Sequence, residues 1–562
     1  MNLMDMKKYI LFFVASLLCM DMAAQKTPKA VEKARESMAS VMTFRNGTLV
    51  GSGTAFFTGE KGEALSSYSL FVGADSAVVV DTKGKVHNVE RVMGVNEMFN
   101  CIKFRVAYDK KIKPLALSSA PVTVGEPLYM LSYGIKKSGA IDAVEVQKTD
   151  SAYSYPYYTL GRPASSDFVS LPLVNGEGEL VAVMQPSSQR DTLRCYAVGS
   201  GLASALVPKP INYGRGYYPS MGIRTALPSE KEAALSCLYM QAMIGDSVSY
   251  GKVLEDFMSA FPKCYEGYVS KAEYVAVYQR NIAAAEEAWN EALSLSKNDA
   301  EVYFNKAKVL SSILQSGDTL YAAMVSHDNA FASIDKAIEL DRQPLYVNYK
   351  ADMLYSRGDY SSASELYEEL AKGSMHTPDI FLKASQCQGA LKNYDRSIEL
   401  LDSAINCFGD TRQKEMAPYL LVRAVVKMTA QKYREAVFDY NEYEKIMSPN
   451  LNASFYYMRQ QAELNGKMYQ QALNDIENAI YLDPTNAMYY VEKGVLCYRV
   501  KLFDEGIRAL ESAGKLAPAS PDIYYLSGLI YVQTGDKAKA KECFEKAVSL
   551  GHPQAADALK GL

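Results

Sequence analysis

The sequence is poor in the residues that most soluble chemistry needs. It holds four histidines in 562 residues, at 87, 327, 376 and 552, and no two are near each other in the chain. It has no Cys-X-X-Cys pair and no Cys/His spacing that would hold zinc, so metal-ribbon and dithiol redox motifs are excluded. Charge of one sign is also missing. Sixty Lys and Arg face 64 Asp and Glu, a net charge of −4, which leaves no basic field for a phosphate backbone and no nucleic-acid partner. Beyond the N-terminus no run of about 18 apolar residues exists, so no membrane span is expected. The one "GRG", at 214–216, has neither a strand before it nor a helix after it, so it is no phosphate loop and no cofactor is implied.

The first residues read as an export signal. Lys7 and Lys8 precede the apolar "YILFFVASLLCM", and "MAAQ" offers small residues for cleavage after Ala24, giving a signal peptide over 1–24. The mature chain is then expected in an exported compartment, the periplasm of a Gram-negative envelope. A lipoprotein reading rests on Cys19, but Leu18 stands where lipidation signals carry a small residue. The other eight cysteines are scattered, and their reading is buried small apolar residues rather than a disulfide framework.

Two grains follow. Residues 30–208 hold short β-branched or alternating runs such as "SAVVVD", "CIKFRV" and "ELVAVMQ", punctuated by Gly, Asn, Asp and Pro. Many short strands imply a sandwich or barrel. Residues 209–229 are rich in Gly, Pro and Tyr without periodicity and read as a linker.

Residues 230–562 are helical and repeat. Gln460, Gly494 and Gly528 are 34 apart; so are Ala472, Gly506 and Ala540, and Ala479, Ala513 and Ala547. Small residues at a fixed period are what two closely crossing helices require. The period resembles the tetratricopeptide repeat family. The phase runs back with drift through Ala424/Ala436, Ser385/Ser397, Ala351/Ala363, Ala307/Ala330 and Ala272/Ala285, with "LQSGDTLYAAM" as an insertion. Eight units are expected, with a divergent first pair over 230–262. The expected architecture is an all-β double barrel followed by an all-α superhelix.

The front region, "GSGTAFFTGEKGEALSSYSLF" above all, resembles trypsin-like serine proteases of the HtrA type over about 38–207. The resemblance implies a catalytic histidine where Ser69 stands and an aspartate where Asn100 stands. "SSDFVSLPLVNGEGELVAV" resembles the nucleophile segment, with Val169 at the serine and Asp167 and Ser170 at the two glycines. A hydroxyl needs an imidazole to deprotonate it and a carboxylate to orient that imidazole. Ser69, Asn100 and Val169 supply none of these. His87, the single histidine of the region, reads as an edge or surface residue. The expectation is a pseudoprotease. "NGT" at Asn46 and "NAS" at Asn452 read as ordinary turn and helix residues rather than glycan acceptors.

First helices of such repeats line a groove, and the family pattern places Tyr457, Gln461, Asn465, Tyr498, Arg499, Tyr525 and Gln533 on it. The Lys/Asn/Arg clamp for a C-terminal carboxylate is absent, because Tyr457, Val491 and Tyr525 hold those places. The leading reading is a scaffold that binds a protein or extended peptide, in envelope assembly or secretion. A serine peptidase with substrate-recruiting repeats and a passive spacer are the alternatives.

Overall fold

The structure, a computed structural model, describes residues 27–562 apart from 109–111, 121, 136–138, 187–192, 211–212, 214–220, 245, 374 and 410–412. The signal segment and Cys19 lie outside the described residues. The chain divides into two compact units, ending and beginning at Lys297 and Asn298.

The first unit opens with twelve strands. Strands β1 (Met38–Arg45), β2 (Thr48–Phe57), β3 (Glu63–Ser67), β4 (Ser76–Asp81), β5 (Val86–Asn96) and β6 (Cys101–Val106) close a barrel in the order β1-β2-β3-β6-β5-β4. Strands β7 (Pro127–Leu131), β8 (Ile141–Ala152), β9 (Tyr155–Leu160), β10 (Pro172–Val174), β11 (Leu180–Met184) and β12 (Cys195–Gly199) close a second, in the order β10-β11-β12-β9-β8-β7. Two closed six-stranded antiparallel barrels fit a trypsin-like fold.

Local chemistry explains the connections. β1 turns into β2 through Asn46 and Gly47, both at positive φ, the pair a two-residue hairpin favours. That is the role of the "NGT". All five residues of β11 are buried. Val181, Ala182 and Met184 pack in the second barrel, while Leu180 and Val183 join a cluster shared with Phe56, Leu65 and Cys101 of the first. A strand covered on both faces reads as one apolar run rather than an alternation.

The described end of the stretch without periodicity, 221–226, lies along the first barrel. Val92 N–H donates to Arg224 O at 2.8 Å, and Ala226 N–H donates to Val92 O at 2.7 Å, so Thr225 bridges β5 in parallel. Tyr213, Met221 and Ile223 enter the first barrel's apolar cluster, as does Cys237 from the following helix.

Two helix pairs complete this unit, Lys231–Ile244 with Ser247–Ala260 and Tyr265–Val277 with Ile282–Leu295. The second unit holds seven pairs among its described residues, from Asp299–Gln315 with His327–Leu340 to Pro521–Thr534 with Lys537–Ser549. The short helix Thr319–Ala322 falls in the insertion read from the sequence. Polar caps start many helices: Asn452, of "NAS", accepts the Phe455 amide at 2.9 Å. At the helix crossings Ala424, Ala436, Ala472 and Ala540 have no exposed surface. Ser385 and Ser397 take the same places in one pair, and their hydroxyls bond each other at 2.9 Å. The chain is thus a double β-barrel followed by a tetratricopeptide-like helical array.

Candidate functional site

Ser69 sits in the single turn Tyr68–Leu70 that follows β3. Two glycines of "GSGTAFF" make room for that turn. A Cβ at Gly53 would lie 2.6 Å from Leu70 Cδ1, and Thr43 Oγ1 donates to Leu70 O at 2.6 Å. Asn100, at φ +46°, ends the turn before β6, a conformation asparagine tolerates well. Its Oδ1 accepts the Ser69 amide at 2.8 Å, and its Nδ2 donates to Ser67 Oγ at 2.6 Å. Ser67 and Ser69 hydroxyls are 3.0 Å apart. Ser69 and Asn100, to which the resemblance gives the histidine and aspartate places, are therefore adjacent in space. They hold hydroxyls and a carboxamide, which have no group that takes up a proton near neutral pH.

The nucleophile segment forms a tight 3₁₀ turn, Ser166–Phe168, ahead of Val169. The Asp167 amide donates to Ser165 Oγ at 3.3 Å and the Val169 amide to Ser166 O at 3.4 Å. An oxyanion hole needs such N–H groups aimed at the reacting oxygen. Here both are turned into the local turn. Phe168 packs on the second barrel's core, with the Arg162 guanidinium 4.6 Å over its ring. Ser170 keeps the left-handed backbone expected of a glycine there, φ +62°, and is buried.

The two barrels meet beside Asn100. The Phe99 ring lies 5.9 Å from Tyr155 and 6.5 Å from Tyr157 of β9. Tyr157 stacks on Tyr196 of β12 at 5.8 Å. Burial pushes the Cys101 thiol up to about 12, against a hydrogen bond from Gln185. That thiol is inert packing, not a nucleophile.

His87 is not the edge or surface residue read from the sequence. It is buried, with Nε2 3.2 Å from Asp81 Oδ2 and its ring 4.2 Å from that of Tyr108. β5 belongs to a closed barrel and has no free edge. Burial disfavours the Asp81 carboxylate, but bonds from the Lys85 amide, Tyr108, His87 and the Lys83 amide outweigh it and hold Asp81 below its usual range. Burial and the bond to Asp81 push Tyr108 up to about 12. No serine or cysteine hydrogen-bonds this His–Asp pair among the described contacts.

The groove positions fall on first helices of the last three full repeats. Tyr457, Gln461 and Asn465 share one face of Ala453–Asn465, four residues apart. Each tyrosine spends one side on packing. Tyr457 lies 5.4 Å from Tyr489, Tyr498 lies 6.4 Å from Phe503, and Tyr525 stacks on His552 at 3.9 Å. Asn465, Arg499 and Gln533 are exposed. A cavity of about 870 Å³ in the last two repeats is lined by Ile507, Ile523, Tyr524, Tyr531, Cys543 and Lys546, and by none of the seven groove positions.

Sequence reasoning missed two buried ionic clusters. Arg423 and Asp439, then Arg459 and Asp475, recur at a spacing of 36 with bidentate bonds in each. That spacing was the available signal.

The model of the family described as "Tetratricopeptide repeat" matches residues 521–550. The chain is 22% identical over 338 residues to the TPR repeat-containing protein MJ1428 of Methanocaldococcus jannaschii, covering 51% of this chain and 56% of that protein. It is 24% identical over 265 residues to the human mitochondrial import receptor subunit TOM70, covering 44% and 41%. The chain thus spans about half the length of the curated relatives it matches. Among solved structures, the serine endoprotease from Yersinia pestis aligns with 31% of this chain and 63% of its own, at 14% identity and a TM-score of 0.28. The helical region carries tetratricopeptide repeats.

Proposed function

We propose that the chain is a non-catalytic, exported scaffold. It binds a protein or extended peptide through first-helix faces of its repeats, and its double barrel is a trypsin-like domain that no longer cuts. The observation that carries this is the state of the front site. Ser69, Asn100 and Val169 stand at the triad places, and the Asp167 and Val169 amides are engaged by Ser165 and Ser166. A protein-binding role is supported by the repeats and by relatives such as the import receptor TOM70. Strand addition to the barrel cleft needs backbone bonds and no triad, so the cleft is a second docking place on this reading. A role in envelope assembly or secretion is part of this reading by analogy of fold.

The test uses the chain from Gln25 onward. It is treated with a fluorophosphonate probe and fluorescent casein, beside an active trypsin-like protease. Peptides are then selected on it from a display library. The expected result is silence in both assays, and selected peptides whose affinity drops at least about tenfold in Tyr457→Ala or Gln461→Ala. Labelling of any serine, or peptides indifferent to every groove substitution, overturns the proposal.

A further inference from the structure

The repeat formed by Ala453–Asn465 and Tyr469–Leu482 carries a buried ionic cluster like that of the repeat before it, with one change of charge inside the cluster. In the earlier repeat, Ala417–Thr429 with Tyr433–Met447, Arg423 and Lys427 face Asp439 and Asp402. Two positive charges meet two negative ones. Thirty-six residues on, Arg459 and Asp475 repeat Arg423 and Asp439, but Glu463 replaces Lys427. Arg459 binds Asp475 through Nε and Nη2 and reaches Glu444 and Asn441 through Nη1. One positive charge now faces three carboxyl groups: Asp475 of the second helix, Glu444 of the preceding repeat and Glu463 itself.

Glu463 is 4% exposed, and its Oε2 has no hydrogen-bond partner. Its neighbour Gln460 fills a crossing that elsewhere holds Ala, Gly or Ser, is fully buried, and has an unpartnered Nε2. Glu463 Oε1 lies 4.0 Å from Arg459 Nε, but Asp475 and Glu444 already engage that guanidinium, so the buried carboxylate is poorly compensated and a neutral carboxyl is the less costly form.

We propose that Glu463 is a proton-binding site that makes this repeat a pH-sensitive joint, with one excess negative charge when the carboxyl is protonated and a second, loosening one when it ionises. Protonated, Glu463 acts as a donor toward Asp475, and Arg459 faces two carboxylates rather than three. Burial first, then the Asp475 charge, outweighs Arg459 and pushes the carboxyl up to about 8. The sign follows. The folded state keeps a proton that the unfolded chain releases near 4.5. Stability is therefore lost as pH climbs from about 4.5 to about 8, and no more is lost above that. The joint lies one hydrogen bond from the groove face, because Gln461 Nε2 donates to Gln460 Oε1 at 2.9 Å.

Hydrogen exchange of the chain from Gln25 onward, followed by mass spectrometry and corrected for the intrinsic pH dependence of exchange, tests this. The opening equilibrium of 453–482 is expected to rise at least about tenfold between about pH 5 and pH 8.5, while that of 417–447 changes less than about twofold. E463Q is expected to abolish the rise, and E463K, which copies Lys427, to do the same. An equal response in the two wild-type segments overturns the proposal, as does a rise that persists in E463Q. The wild-type comparison decides alone if the variants do not fold.

Discussion

Asn100 Oδ1 accepts the backbone N–H of Ser69 at 2.8 Å, joining the two places where a trypsin-like protease carries its aspartate and histidine. With Nδ2 on Ser67 Oγ, the carboxamide spans the turn after β3 and fixes the end of β6 to it. The side chain of Asn100 is a structural staple here. Asn100→Ala leaves the Ser69 amide without this partner and is expected to cost about 1–3 kcal/mol, read from urea unfolding.

The same geometry predicts that rebuilding the triad is not enough. Ser69→His, Asn100→Asp and Val169→Ser together supply the three side chains. The Asp167 and Val169 amides still point into the Ser166–Phe168 turn, which Phe168 and Arg162 hold in place. The triple variant is expected to remain unlabelled by a fluorophosphonate probe. Labelling of the hydroxyl introduced by Val169→Ser would show that the turn opens on its own.

A second tie joins β5 to the helix Ser247–Ala260. Arg91 binds Asp256 through both terminal nitrogens, Nη2 to Oδ1 at 2.8 Å, with the carboxylate side chain 11% exposed. Arg91→Ala leaves that carboxylate only the Arg224 guanidinium, 3.6 Å away, and the expected loss is about 1–3 kcal/mol. Trp289, the sole tryptophan, is buried in the same unit, so its fluorescence follows the unfolding. An Arg91→Met/Asp256→Leu pair is expected to recover most of the loss. If it is no better than Arg91→Ala, the charge pair is not the source.

All eight described cysteines are free. Burial pushes Cys101 and Cys237 up to about 12, and Cys264, Cys387, Cys497 and Cys543 up to about 11. Ellman's reagent is expected to react slowly with the native chain from Gln25 onward. In denaturant without reductant it should count all eight thiols. A lower count would mean that the chain carries a disulfide.

The barrels and the repeats were legible for a common reason: each leaves a periodic trace. "GSGTAFF" needs glycine where Leu70 closes on Gly53, and Ala472, Gly506 and Ala540 mark crossings that admit only small side chains. Buried polar groups leave no such trace. His87 and Asp81 sit six residues apart with nothing to show that they face each other inside a barrel. Arg459 reads as a solvated charge until Asp475 and Glu444 are placed around it. The stretch before residue 230 lacks periodicity because its bonds run to β5 and to Ala74, more than a hundred residues back. The groove face is the least legible, because Tyr457 and Tyr525 serve packing as well as exposure.

The tightest crossing gives a prediction in which two local rules oppose each other. Gly528 lies mid-helix, where alanine is favoured by about 1 kcal/mol. A Cβ there would sit 2.5 Å from Phe544 Cε1, and Phe544 is 1% exposed. The steric term wins, since overpacking a closed core costs about 1–3 kcal/mol. Gly528→Ala is expected to destabilise the array in urea titrations followed by circular dichroism. Phe544→Leu alone also destabilises, by removing buried ring. In the double variant the ring that clashes is gone and the helix gain of alanine remains, so the two losses are expected not to add. Strict additivity would mean that the helix pair separates around alanine without strain, and that the small residue repeated at this period is not required by packing here.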